Sequence, residues 1–292
     1  MSQLERIAGI LMTTRHLHVV KAERPKRAPH ERPLIAVIIP CYNEEKNIER
    51  VLGDVAALAQ AHADWKILPV VVNDGSSDNS EALLAAIGPK YGAHIINLPV
   101  NLGIGGAVQA GFRYAVGEGA DVALQLDGDG QHPAAGIPAI VEPVLAGKTD
   151  VAVGSRYVKG AGGNVSSLMR HAGTMCFSTM LRVLAGVNIK DTTSGFRAFS
   201  YEASDFLARC YPDDYPEVQA YVPLARKGFR IVEYPVCMKP RRHGRSSITA
   251  LRSVYYMVKV AFATAMDVIR RLPPRRKRLS GRFRDRAGGG HT

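Results

Sequence analysis

The chain has 292 residues, 46% apolar and 22% charged, which excludes a disordered chain and leaves room for one large domain or two small ones. The net charge of +12 sits at the ends. Residues 1–32 hold seven Lys/Arg and three acids, residues 270–292 hold nine and one, and 33–269 is neutral with 22 of each sign. No run of about 18 apolar residues occurs, so no transmembrane helix is expected, and the N-terminus lacks the apolar core of a signal peptide. Cys41, Cys176, Cys210 and Cys237 are scattered with no Cys-x-x-Cys pair, which argues against a zinc site or disulfide framework and fits a reducing compartment.

In chain order, a basic leader (1–33) precedes a strand at Leu34 to Ile39, β-branched and continuously apolar. A helix is expected from about Asn47 to His62, a strand at Ile67 to Val72, and a helix at Ser80 to Ile87 with Ser80 as its N-cap. A strand at His94 to Leu98, a helix at Ile104 to Val116 and a strand at Asp121 to Leu126 follow. Then come a helix at Pro138 to Ala146, a strand at Val151 to Ser155 and a late strand at Ile231 to Val236. The alternation predicts a largely parallel sheet with helices on both faces, where ligands sit outside the carboxyl ends of the strands. Residues 248–272 are expected to form an amphipathic helix that lies on a membrane surface, the alternative being one packed on the domain by its apolar face: Leu251, Val254, Tyr255, Val258, Phe262, Ala265 and Ile269 share one face, with Arg252, Lys259, Asp267 and Arg270 opposite. A basic, disordered tail (273–292) is expected after it.

The strand ending near Leu126 runs into Asp127-Gly128-Asp129-Gly130-Gln131. Residues two apart share a side of an extended chain, so both carboxylates and the amide point one way. Like charges that close repel unless a cation lies between them; the alternative is a solvated acidic turn. An EF-hand is excluded, because His132 stands at the sixth position and Pro138 at the twelfth. Two carboxylates and an amide suit Mg²⁺ or Mn²⁺, and His132 is read as a turn residue. The polar loops Pro40-Cys41-Tyr42-Asn43-Glu44-Glu45 and Asn73-Asp74-Gly75-Ser76-Ser77-Asp78 end two strands. Either they are ordinary turns, or they wall a pocket in which Tyr42 packs on a base and Asp74 accepts hydrogen bonds from it. The glycines of Gly103-Ile104-Gly105-Gly106 and Gly111 make a weak dinucleotide fingerprint and are read as small residues that allow close helix packing or anion approach at a helix N-terminus. Arg156, Arg197 and Arg241 each lie near a polar turn and suit phosphate, with surface ion pairing as the alternative.

In order, Pro40-Cys41-Tyr42-Asn43-Glu44, Asn73-Asp74-Gly75-Ser76-Ser77-Asp78, Asn101-Leu102-Gly103, Asp127-Gly128-Asp129-Gly130-Gln131-His132-Pro133, Gly154-Ser155-Arg156 and Thr193-Ser194-Gly195-Phe196-Arg197 resemble family 2 glycosyltransferases. The nearest branch is the dolichol-phosphate mannose synthase type, over roughly residues 34–247. The resemblance implies a GT-A fold, a nucleoside diphosphate sugar (NDP-sugar) donor, a divalent metal and inverting transfer. It implies donor contacts at Pro40, Tyr42, Asn43, Glu44, Asp74 and Gly75, with Gly103, Asp127 and Gly128. Asp127, Asp129 and Gln131 would hold the metal. Arg156, Ser194, Arg197, Arg241 and Ser246 would meet the acceptor. Two features depart from the pattern: Ser247 stands where lysine is frequent, and no membrane-spanning helices follow.

The expected activity is metal-dependent transfer to a polyprenyl phosphate by a protein peripheral on the cytoplasmic face of the cell membrane. Such an acceptor is already anionic and needs positioning more than a base. Asp127, Asp129, Arg156 and Arg197 would carry the chemistry. The runner-up acceptor is a glycan hydroxyl in cell-wall or surface polysaccharide synthesis, with Asp191 as general base. An anionic membrane surface and a membrane-protein partner are expected. Nucleic-acid binding would use the basic ends but leaves the neutral middle and its carboxylates unexplained, so no nucleic-acid partner is expected. A catalytically silent scaffold is disfavoured by the intact Asp127 and Asp129.

Overall fold

The computed structural model describes residues 31–128, 130, 134–161, 168–237 and 250–275, with backbone alone for 168–172 and 250–258. Seven strands are described: β1 Leu34–Cys41, β2 Lys66–Asn73, β3 His94–Asn97, β4 Val122–Gln125, β5 Val151–Ser155, β6 Arg197–Ser200 and β7 Ile231–Pro235. They form one sheet in the order β3-β2-β1-β4-β6-β5-β7. All run parallel except β6, which is antiparallel to both β4 and β5.

β1 shows why the sheet is covered twice. Successive side chains point to opposite faces. Leu34, Ala36 and Ile38 enter one apolar cluster, and Ile35, Val37 and Ile39 enter the other. The helices are α1 Ile48–Ala61, α2 Ser80–Ile87, α3 Gly103–Gly117, α4 Ile137–Leu145, α5 Leu168–Ala185, α6 Tyr201–Cys210, α7 Pro216–Gln219, α8 Tyr221–Arg226 and α9 Ala250–Ile269. α1, α2 and α4 supply side chains to the second cluster, and α3, α5, α6 and α8 to the first. The expected GT-A-like, mostly parallel sheet flanked by helices is therefore present. The glycines of α3 serve packing, as read: a Cβ at Gly111 would collide with the Ile38 side chain, and one at Gly105 with the carbonyls of Pro212 and Asp213.

Two details differ from expectation. Ser80 is the first residue of α2 rather than its cap; its Oγ accepts the Glu44 N–H (3.1 Å), while its own N–H donates to Asp78 Oδ1 (3.0 Å). α9 docks by an unforeseen face. From Lys259 onward its buried residues are Val260, Thr264 and Asp267. Gln219 Nε2 donates to Asp267 Oδ2 (3.0 Å). Phe262, Met266 and Ile269 point outward, 70%, 49% and 73% exposed. Beside α9, α5 leaves Met175 and Val183 exposed as well. Among the described residues no helix is long and apolar enough to cross a membrane. Nearly all of the leader (1–30) and most of the tail (276–292) lie outside the described residues.

Candidate active site

β1 lies between β2 and β4, so the chain turns one way along the sheet and then the other. A crevice forms at the carboxyl ends of the strands where the direction switches. There a cavity of about 900 Å³ is lined by Pro40 near the end of β1 and Tyr42, Asn43 and Glu44 after it, Asp74 and Asp78 after β2, and Asp127 and Gly128 after β4. Gly103, Ile104 and Ala107 at the start of α3 line it too.

The first two loops are zipped together. Asn43 adopts a left-handed backbone (φ 56°), which asparagine tolerates. Its Oδ1 accepts the Ser77 N–H (2.8 Å) and the Asp78 N–H (3.2 Å), and its own N–H donates to Ser76 Oγ (3.0 Å). Asn43 therefore shapes the loops as well as lining the cavity. Asp74 is similarly committed: its Oδ1 accepts the Leu102 N–H (2.7 Å) and its carbonyl accepts Asn101 Nδ2 (3.1 Å). Burial pushes its carboxyl above the usual range, against the pull of the N–H bonds. Gly75 holds a positive φ (63°) against the Asn101 backbone, behind the lining residues. Tyr42 is half-exposed at the rim, free to stack.

Asp127 sits at the cavity floor, where Gly195 packs against it. A Cβ at Gly195 would lie 2.6 Å from Asp127 Oδ2 and 2.7 Å from Oδ1, so only glycine lets the segment before β6 approach the carboxylate. This close cradle holds a hard oxygen donor at the pocket floor, and such a donor fits Mg²⁺ or Mn²⁺. Among the described residues no three His, Cys, Asp or Glu groups cluster to bind a metal without help. Asp129 and Gln131, expected as co-ligands, lie outside the described residues with His132.

Arg156 and Asp191 meet at the carboxyl end of β5. Arg156 Nε donates to Asp191 Oδ2 (2.8 Å), Nη2 to Oδ1 (2.7 Å), and the Arg156 backbone N–H also to Oδ2 (3.0 Å). Asp191 is fully buried, while the Arg156 side chain keeps 18% exposure. Burial works against the guanidinium charge, but the bonds and attraction from Asp191 outweigh it and hold Arg156 above the usual arginine range. The turn itself is fixed by Glu233 on β7, whose Oε1 accepts the Asp191 N–H and Oε2 the Lys190 N–H, both at 2.8 Å.

Arg197 and Ser194, expected at the acceptor, are both buried and bonded within the protein. Because β6 runs antiparallel, Arg197 enters the sheet opposite Gln125 and Val153 and is completely buried. Its Nη1 donates to the Glu217 carbonyl (3.3 Å), and its Nη2 to Gln125 Oε1 and Tyr211 Oη (both 3.4 Å). Burial opposes its charge; Tyr211, Tyr221, Glu217 and Asp127 more than offset this and push the guanidinium up. Ser194 Oγ donates to the Gly154 carbonyl (2.7 Å) and accepts the Phe196 N–H (3.3 Å), so its hydroxyl braces the loop. Arg241 and Ser246, the other expected acceptor residues, lie outside the described residues. Sequence reasoning missed Glu217, which reaches the cavity from α7, and Glu233. A lone Glu in Tyr-Pro-Glu-Val carries no motif; only the fold brings it to the crevice.

Residues 36–207 match the model described as "Glycosyl transferase family 2". The chain belongs to that family. This glycosyltransferase is 32% identical over 244 residues to the polyprenol monophosphomannose synthase of Mycolicibacterium smegmatis, covering 80% of this chain and 87% of that one. It is 30% identical over 218 residues to the undecaprenyl-phosphate mannosyltransferase of Micrococcus luteus, covering 74% and 87%. Among solved structures, glucosyl-3-phosphoglycerate synthase from Mycobacterium tuberculosis, crystallised with Mn²⁺, UDP and glucosyl-3-phosphoglycerate, superposes with a TM-score of 0.57 at 20% identity over 84% of this chain and 85% of that chain. That likeness establishes the fold of this family 2 glycosyltransferase.

Proposed function

We propose that this glycosyltransferase moves a sugar, with inversion, from an NDP-sugar to a polyprenyl phosphate at the cytoplasmic face of a membrane, using Mg²⁺ or Mn²⁺. The state of Asp191 carries the acceptor assignment. A hydroxyl acceptor needs a base, and Asp191 was the candidate. It is buried and its two oxygens take three hydrogen bonds from Arg156, so it is not placed to accept a substrate proton. A phosphate acceptor arrives already ionised. Arg156 Nη1, with no hydrogen bond among the described residues, remains to receive it. The names of the two curated relatives, both acting on polyprenyl phosphates, support the same acceptor.

The zipped loops around Asn43 orient the nucleotide, and Asp127 with Asp129 and Gln131 hold the metal. When bound, that ion stabilises charge on the departing nucleoside diphosphate. Arg156, aligned by Asp191, offsets repulsion between donor and acceptor phosphates. The outward Phe262, Met266 and Ile269, with exposed Arg270 and Arg271 at their end, suit an anionic lipid surface.

The test is incubation of the purified protein with a panel of NDP-sugars and either polyprenyl phosphate or a glycan acceptor, with and without Mg²⁺ or Mn²⁺. Transfer to the lipid phosphate, lost in excess EDTA, is expected. Transfer to the glycan alone overturns the acceptor, and full activity in EDTA overturns the metal.

A further inference from the structure

We infer that Glu217 contacts the hydroxyls of the donor sugar and sets which sugar is accepted. This rests on the glycosyl transfer proposed above.

The rim of the sheet gives the order of the substrates. The nucleotide end of the cavity lies over β1 and β2, Asp127 follows β4, and Arg156 follows β5. The sugar joins the diphosphate to the acceptor, so it must lie between Asp127 and Arg156. The strand between β4 and β5 is β6, and its first residue is Arg197. Glu217 belongs at that point. Its carbonyl accepts Arg197 Nη1, and the residue lines the cavity with Asp127. Every other described lining residue comes from positions 40–128; Glu217 alone arrives from the C-terminal half of the chain.

Its placement is firmly held. Pro216 opens the four-residue helix α7, and Val218 and Gln219 are buried. Gln219 Oε1 accepts the Tyr215 N–H (3.1 Å), and its Nε2 donates to Asp267 on α9. Beside it lies Arg197, fully buried and, among the described residues, hydrogen-bonded only to neutral acceptors at 3.3–3.4 Å and with no hydrogen-bond partner for Nε. A buried cation of that kind requires anions nearby. The carboxylates that act on it are Glu217 and Asp127.

A carboxylate beside a diphosphate would repel it. Burial pushes the Glu217 carboxyl up against the pull of Arg197; set one strand further along than Asp127, the group is suited instead to hydroxyls, since its two oxygens can bond adjacent O–H groups of a sugar ring. Carboxylate–hydroxyl bonds in a half-buried site discriminate strongly, because a donor lacking the hydroxyl leaves the acceptor unpaired.

The experiment compares the wild type with Glu217→Gln and Glu217→Asp on the NDP-sugar that the wild type uses best. The expected result is a KM for that NDP-sugar raised about ten-fold or more, with the inhibition constant of the free nucleoside diphosphate and the metal concentration for half-maximal rate both within about two-fold of wild type. Monodeoxy donor analogues should reveal one ring position at which the wild type discriminates and Glu217→Gln does not. Unchanged inhibition by the nucleoside diphosphate also reports that the variant is folded. An unaltered KM, an equal loss of nucleoside diphosphate affinity, or a fall in kcat at constant KM overturns the assignment. The last outcome would make Glu217 a general base, and a shifted metal requirement would make it a ligand. If the wild type itself transfers nothing from any NDP-sugar, the proposed function fails instead.

Discussion

The Arg156 guanidinium and the Asp191 carboxylate form a two-point pair, Nε to Oδ2 at 2.8 Å and Nη2 to Oδ1 at 2.7 Å, and the carboxylate is closed to solvent. Removing one partner leaves the other charge buried alone, which costs about 3–5 kcal/mol. Asp191→Asn should therefore lower the melting temperature markedly and raise the KM for polyprenyl phosphate, with nucleotide affinity retained. Arg156→Lys should weaken acceptor use too, because lysine cannot make the fork. Thermal melts and acceptor titrations check both. An Asp191→Asn variant as stable as wild type that loses only kcat would return Asp191 to the role of base.

Gly195 and Asp127 give a second test. A methyl group at Gly195 would sit 2.6 Å from the carboxylate, so Gly195→Ala must push Asp127 aside. Activity should fall at least about ten-fold, and the Mn²⁺ concentration for half-maximal rate should rise. Metal titration reads this, and a variant with wild-type metal dependence would show that Asp127 tolerates displacement.

Arg197 is expected to behave as an internal residue. Arg197→Met replaces a fully buried cation with a side chain of similar length, leaving Glu217 and Asp127 without their counter-charge. It should lower stability and donor use while the acceptor KM stays near wild type. A selective rise in acceptor KM with normal stability would restore the phosphate-binding role read from the sequence.

The outward face of α9 gives the membrane test. Replacing Phe262, Met266 and Ile269 together with serine should spare the fold, since all three are exposed, and should release the protein from phosphatidylcholine–phosphatidylglycerol vesicles at low salt. Deleting α9 outright is a poorer experiment. It would uncover the surface under Val260 and leave Gln219 Nε2 and Arg226 without their Asp267 acceptors. Equal sedimentation of the triple variant and wild type would exclude this face as the lipid contact.

The first five strands and their helices were legible within a residue or two, because each is a β-branched run or an apolar stripe bounded by turn residues. The segment from Leu168 to Arg226 was not. β6 is only Arg-Ala-Phe-Ser, too short for a period, and it begins with an arginine that reads as a surface phosphate ligand. Only the antiparallel pairing with β4 and β5 shows that Arg197 lies inside. In α5 the apolar residues fall on two faces, Phe177 and Leu181 inward and Met175 and Val183 outward, which blurs the helical stripe. In α9 the docking face was not legible, because a polar Asp267 with a buried Gln219 partner makes the contact. The motif residues at the crevice were found by type and spacing; whether Ser194 faced substrate or backbone depended on a carbonyl 40 positions away.

The reversed strand β6 has a further consequence. It brings the 191–197 segment to the same rim as the loops after β1, β2 and β4, so the donor and acceptor positions proposed above would stand on one rigid lattice. Adjacent strands are roughly 4.8 Å apart, which puts the end of β2 and the end of β5 about 19 Å apart, four strand widths. The sheet therefore acts as a ruler for inhibitor design. A single molecule joining a nucleoside to a lipid phosphate should gain from its tether only when the spacer matches that length, and shorter or longer spacers should bind no better than the nucleoside half alone.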